Sequence, residues 1–161
     1  MTLAQRAQSE LDAAREYFNR STRGLTETLS AFAPASGMRT AAQQVAHAAQ
    51  TIEWFADGAF RPEGFDLDFE RMERDVTACT SLTAAREWFD RATEAAKRAF
   101  ADKSDQELLA PLPPGPIMGG EPRFAVIGAL TDHTAHHRGA LTVYARLNGI
   151  VPPMPYMETP E

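Results

Sequence analysis

Disulfide bonds are excluded first, because the 161-residue chain has a single cysteine, Cys79, and a lone thiol cannot pair internally. Basic clusters are missing as well. With 16 Lys+Arg against 22 Asp+Glu the formal net charge is −6, which argues against nucleic acid, whose phosphates call for Lys/Arg patches. No apolar run reaches membrane length, and Met1-Thr2-Leu3-Ala4-Gln5-Arg6 lacks a signal peptide's hydrophobic region. The expectation is a cytoplasmic protein without a membrane partner. No segment alternates apolar and polar residues as a half-buried strand would. Histidine is scarce too: there are 4, so their positions carry information.

What is present is helical period. A first helix is expected from Thr2 to Arg23, burying Leu3, Ala7, Leu11, Ala14 and Phe18. A shorter piece follows through Leu25, Leu29 and Phe32 and ends before Pro34. A second helix opens at Thr40, which forms a capping-box sequence with Gln43, and runs to Asp57 with Gly58 as its stop. Residues 59–68 read as a loop, Phe69 to Val76 as a short helix, and Ser81 to Asp102 as a third long helix. Its buried side is Ala85, Trp88, Phe89, Ala92, Ala96 and Phe100. The prolines and glycines from Leu108 to Gly120 forbid regular structure. A last long helix opens at Pro122 and closes at Gly149. Pro152 to Glu161 reads as an extended strap or a partly disordered tail. The expected fold is one domain over residues 1–161, an all-α antiparallel four-helix bundle with a long crossover connection.

Three of the histidines fall within Asp132-His133-Thr134-Ala135-His136-His137-Arg138-Gly139. Residues four apart on a helix stack on one face with Cβ atoms about 5–6 Å apart. That spacing lets two imidazoles meet one ion at roughly 2.0–2.1 Å per Zn–N bond. At 100° per residue, His133 and His137 share a stripe with Val126, Ala129, Leu130, Ala140, Tyr144 and Leu147, the face a helix buries. Two imidazoles buried there need partners for their ring nitrogens, and a shared metal ion satisfies both.

The fourth histidine, His47, lies mid-way along the second helix. Its side carries Gln43, Gln44, Gln50, Thr51 and Trp54, and the only charge between Ala41 and Ala56 is Glu53. A polar, uncharged stripe of this kind suits a wet cleft inside a bundle. The expected ligand set is therefore His47, His133 and His137, with positions left open, a catalytic rather than structural pattern. His136 is assigned to the cleft wall. Asp132 could hold a histidine's second nitrogen or lie on the surface. Cys79 is read as a small half-buried filler.

These residues together resemble the DinB/YfiT-like superfamily of four-helix-bundle, metal-dependent proteins. The likeness is carried by Gln44-Val45-Ala46-His47, by His133-Thr134-Ala135-His136-His137-Arg138-Gly139, by Ala140-Leu141-Thr142-Val143-Tyr144, and by Pro152-Pro153 with Pro155-Tyr156 behind it. Ala140 stands where many relatives carry Gln. The resemblance implies that His47, His133 and His137 form the family's metal triad and that the protein is a homodimer. It also implies a thiol S-transferase or thiol-dependent isomerase chemistry, which recurs in some members.

The functional expectation follows from both lines. A divalent ion (Zn, Ni or Fe, since imidazole suits each) activates a low-molecular-weight thiol or water for attack on a small electrophile. The alternatives are a metal-dependent hydrolase and a non-enzymatic metal-binding stress-response protein. The substrate is expected against Trp54, Tyr144 and the Ile117-Met118-Gly119-Gly120 loop. Tyr144, two turns below His137, is the one candidate catalytic side chain: it donates a hydrogen bond to a substrate oxyanion or packs in the core. No paired carboxylates mark a general base.

Overall fold

Four long helices dominate the computed structural model, which describes residues 1–157. They are α1 (Leu3–Thr22), α2 (Ala41–Gly58), α4 (Leu82–Ala101) and α6 (Ala125–Leu147), with the shorter α3 (Phe69–Ala78) and α5 (Asp105–Leu109) in the connections. Each start has a local cause. The Thr2 and Thr40 hydroxyls accept from the Gln5 and Gln43 amides, and each glutamine side chain returns the bond to the cap's own N–H. Asp68 and Ser81 cap α3 and α4 in the same sense. No strand forms among the described residues, only an isolated bridge between Pro111 and Pro122.

The helix directions can be read from side-chain partners. Along α1 and α4, Asp12 meets Lys97 at 2.8 Å, Asn19 meets Asp90 at 3.4 Å, and Arg86 donates to the Thr22 carbonyl at 2.7 Å. Rising numbers face falling ones, so this pair is antiparallel. Arg6 lies over Phe124 and Tyr17 beside Arg138, so α1 and α6 are parallel. Ser30, in the turn after α1, holds two helix starts at once. Its carbonyl accepts from Ala42 N at 3.1 Å and its hydroxyl from Leu82 N at 2.9 Å. At the far end the Phe60 and Phe100 rings meet at 5.0 Å, so α2 and α4 are parallel. Around the ring the order is α1–α4–α2–α6, with α1 diagonal to α2 and α4 diagonal to α6.

A parallel neighbour pair needs a connection that runs the length of the bundle, about 27 Å for an 18-residue helix. That crossover is the 59–81 segment with α3 inside it, laid against α2. The Pro/Gly segment before α6 instead turns across one end of the bundle. The core is continuous: Phe18 of α1 stacks on Phe89 of α4 at 4.2 Å. Fully buried Ala41, Ala42, Ala46, Ala48 and Ala49 let α2 approach its neighbours closely. Alanine also imposes the smallest cost of helix formation.

Several boundaries differ from expectation. The segment Asp105–Leu109 is a short helix, opened by a Ser104–Glu107 capping box, and Asp105 accepts from Leu3 N to cap α1. Helix α6 begins at Ala125, because Pro122, Arg123 and Phe124 form a tight lead-in whose carbonyls take the next amides three residues on. Gly58 is the last helical residue and not a left-handed stop. A Cβ there would lie 2.3 Å from the Phe65 ring, so close packing demands the glycine. Gly149 does take positive φ (+73°): its amide binds Arg146 O and that of Ile150 binds Ala145 O, a Schellman closure. Leu147, placed on the buried stripe by periodicity, is exposed. The strap, expected to be extended, turns at Pro155 and Tyr156 and is held to α1: Arg20 donates to Pro155 O at 2.6 Å and Tyr156 packs edge-on against Tyr17. Glu158 to Glu161, which the sequence reading included in the strap, lie outside the described residues. No helix among the described residues is long and apolar enough to cross a membrane.

Candidate metal centre

The antiparallel contact of α2 and α6 brings His47 against His133 and His137. Ring centroids lie 5.1 Å apart for His47–His133, 4.8 Å for His47–His137 and 4.4 Å for His133–His137. One ring nitrogen from each falls within 4.8 Å of the others, an arrangement that could hold a metal ion. His137 is buried, and the other two are half-buried.

A directed hydrogen-bond relay fixes how His137 faces this centre. The Tyr144 hydroxyl donates to Arg39 O at 2.9 Å, an atom that can only accept. Its oxygen then accepts from Gln44 Nε2 at 3.2 Å, which turns Gln44 Oε1 toward His137 Nδ1 at 2.6 Å. An amide oxygen also only accepts, so Nδ1 carries the proton and Nε2 carries the lone pair. That lone pair points at His133 Nε2, 3.2 Å away. Two nitrogens bound tetrahedrally at 2.0–2.1 Å would sit about 3.3 Å apart. The pair therefore matches the spacing an ion requires. His47 Nδ1 is buried without a hydrogen-bond partner, a further unmet need of the kind buried polar atoms seldom leave.

Burial pushes all three histidines below their ordinary value of 6.5: His47 to about 4, His137 to about 3, and His133 in the same direction. The Arg39 guanidinium and the neighbouring imidazoles add to the effect. Neutral imidazole is the form that ligates. The sign for folding follows. Above pH 6.5 both folded and unfolded histidines are neutral and contribute nothing; below it the unfolded chain takes up protons that the folded chain refuses. The metal-free protein should therefore lose stability as pH falls from 6.5 toward about 4. Urea midpoints between pH 7 and 5.5, above the range in which the carboxylates titrate, check this; a midpoint flat over that window would contradict it.

Other expected residues are placed differently. Tyr144 is 2 % exposed and its proton is committed to Arg39 O, so it orients Gln44 and offers no donor to a substrate oxyanion. The 117–120 loop is absent from the lining of the cleft beside the histidines. That cleft, about 230 Å³, runs between α2 and α3 and is lined by His47, Gln50, Thr51, Trp54, Phe55, Phe69, Met72, Glu73 and His133. Trp54 stands where the sequence put it, its indole N–H donating to Asp66 O at 2.7 Å. His136 and Asp132 are exposed, with the His136 ring 4.9 Å from that of His137. Of the two roles the sequence left open for Asp132 it takes the surface one, and the second nitrogen of His137 is served by Gln44. Cys79 is half-buried at the end of α3, with Ser81 O 3.7 Å from its sulfur, and is not among the residues that converge.

A model of the DinB superfamily matches residues 10–141. The chain belongs to the DinB superfamily. In overall fold this DinB chain is similar to the crystal structure of a DinB-like protein from Bacillus cereus ATCC 10987, with a TM-score of 0.68. The sequences are 20% identical, and the match covers 94% of this chain and 93% of that one. No curated protein matches it. At that identity the likeness speaks for the bundle alone, and the relay and the cleft rest on the geometry of this chain.

Proposed function

We propose that this DinB protein binds a divalent metal ion through His47, His133 and His137 and is an enzyme of the thiol S-transferase type. It would join a low-molecular-weight thiol to a small electrophile. The observation that carries this reading is the convergence of three neutral imidazoles, one with its lone pair pre-aimed by Gln44, beside an open aromatic cleft. Bound there, an ion supplies the electrostatic pull that lowers the pKa of a coordinated thiol or water.

The chain's own contribution is position and charge. An all-imidazole ligand set adds no negative charge, so an anionic thiolate is attracted more strongly than it would be beside carboxylate ligands. Gln44 and Tyr144 hold His137 in one tautomer. Trp54, Phe55, Phe69 and Met72 give the electrophile an apolar wall next to His47 and His133. Glu73 is the one carboxylate on that wall, and Arg39 pairs with it.

Cobalt-substituted protein tests this. Adding a cellular thiol such as glutathione or cysteine should produce a sulfur-to-cobalt charge-transfer absorption that strengthens as pH rises, because coordination releases a proton. Hydrolysis of a simple ester or amide without that band across a panel of cellular thiols would replace thiol transfer with hydrolysis. Neither signal would leave a metal-binding protein without turnover.

A further inference from the structure

We propose that the cleft beside the histidines is a binding site for an uncharged, single-ring aromatic molecule bearing a polar carbonyl-type substituent, and that this is the class of electrophile the protein takes. The inference rests on the reading of the histidines as a metal centre for its catalytic meaning. The cleft's selectivity rests on its walls alone.

The walls come from two helices at helical spacing. From α2 the residues at i, i+3, i+4, i+7 and i+8 face inward: His47, Gln50, Thr51, Trp54 and Phe55. From α3 the set is Phe69, Met72 and Glu73. Trp54 packs among Phe55, Phe65 and Phe69 with centroids 4.9 to 6.0 Å away. Its N–H is fixed on Asp66 O, so the indole presents its ring and not its donor. Aromatic rings prefer such offset or edge-on neighbours, and Met72 adds a polarizable sulfur that suits a ring's edge.

Size sets the first limit. About 230 Å³ falls below the roughly 300–1,000 Å³ of sites for drug-sized ligands, which leaves room for one substituted ring. Charge sets the second. The only ionised side chain on the walls is Glu73, and Arg39 already neutralises it. With no metal ion bound, a carboxylate or ammonium entering this slot would lose its hydration without gaining a counter-charge, which is costly.

Polarity sets the third. Thr51 and Gln50 line the cleft one turn from His47, and neither side chain hydrogen-bonds to another described residue. Their hydroxyl and amide are uncharged donors and acceptors suited to a carbonyl or amide group. Such a ligand would lie with its ring on Trp54 and Phe69 and its polar end toward the histidines.

Trp54 provides the readout, since the chain has two tryptophans and Trp88→Phe leaves Trp54 alone. Benzamide, benzoate and benzylamine share a ring and differ in charge. Titrated into the Trp88→Phe protein without added metal, benzamide should quench or shift Trp54 emission with a Kd at least tenfold below either charged analogue. Met72→Trp, read by ligand-observed NMR, should fill the slot and abolish benzamide binding. Phe69→Ala, which alters an exposed wall and spares the core, should weaken it severalfold. A charged analogue binding within tenfold of benzamide, no binding by any of the three, or benzamide affinity unchanged in Phe69→Ala would overturn the proposal. Because no metal is added, these outcomes are separable from failure of the histidine reading, which cobalt binding reports independently.

Discussion

Replacing His137 with alanine is expected to lower zinc affinity by about 10²–10³-fold. Structural zinc sites bind with roughly 10–16 kcal/mol, so sharing that among four ligands assigns about 2.5–4 kcal/mol to each. His137 is the ligand whose loss should be felt most, because it alone is buried and held by a relay from its far side. The substitution also strands Gln44 Oε1 without a donor, so part of the change will appear in stability. Circular dichroism and a thermal melt on the metal-free variant separate folding from binding. Cys79→Ala is the matched control: its thiol lies at the end of α3 and does not join the histidines, so zinc binding should be unchanged. Isothermal titration with a competing chelator measures both. Equal affinity in His137→Ala and the parent protein would remove His137 from the centre.

The second large effect concerns Gln44, which touches no ion in this account. Gln44→Leu removes the only acceptor for His137 Nδ1–H and frees the ring to take either tautomer. Loss of such an outer partner typically costs 10–100-fold in metal affinity. Gln44→Glu keeps an acceptor in place and should retain most of the affinity, which separates hydrogen bonding from mere packing. Tyr144→Phe should fall between them: it removes the group that sets the direction of the amide while leaving the amide present. If Gln44→Leu and Gln44→Glu lose affinity equally, the relay has no orienting role.

Much of this was legible in the sequence, for reasons tied to particular residues. The Thr40–Gln43 capping box and the Gly149 closure are local events, so α2 and the end of α6 could be read directly. His133 and His137 could be paired because both sit on one helix, where a 3.6-residue period converts spacing into direction. His47 stood out as the one histidine on an alanine-rich helix whose only charged residues are Glu53 and Asp57. Helix α5 was hidden by the prolines that follow it, although Ser104 and Glu107 spell a capping box and could have revealed it.

The rest depends on tertiary contacts that no local pattern encodes. Which helices run parallel is decided where Ser30 caps α2 and α4 together, a pairing across 52 residues. The cleft's outer wall comes from α3, whose mixture of Asp, Glu and Arg reads as a solvated helix. Only the crossover's path lays Phe69, Met72 and Glu73 against α2. Tyr144 was visible as a stripe residue, but its partner Arg39 lies in irregular chain before Thr40, where periodicity offers no direction. The hydroxyl's role could not be read without that partner.

The most direct measurement is a cobalt(II) titration of the metal-free, untagged protein. The three-histidine centre predicts visible absorption well above that of aqueous cobalt, saturating at one ion per chain. It should be lost separately in His47→Ala, His133→Ala and His137→Ala. Absorption no different from aqueous cobalt, or saturation that survives all three substitutions, would contradict it.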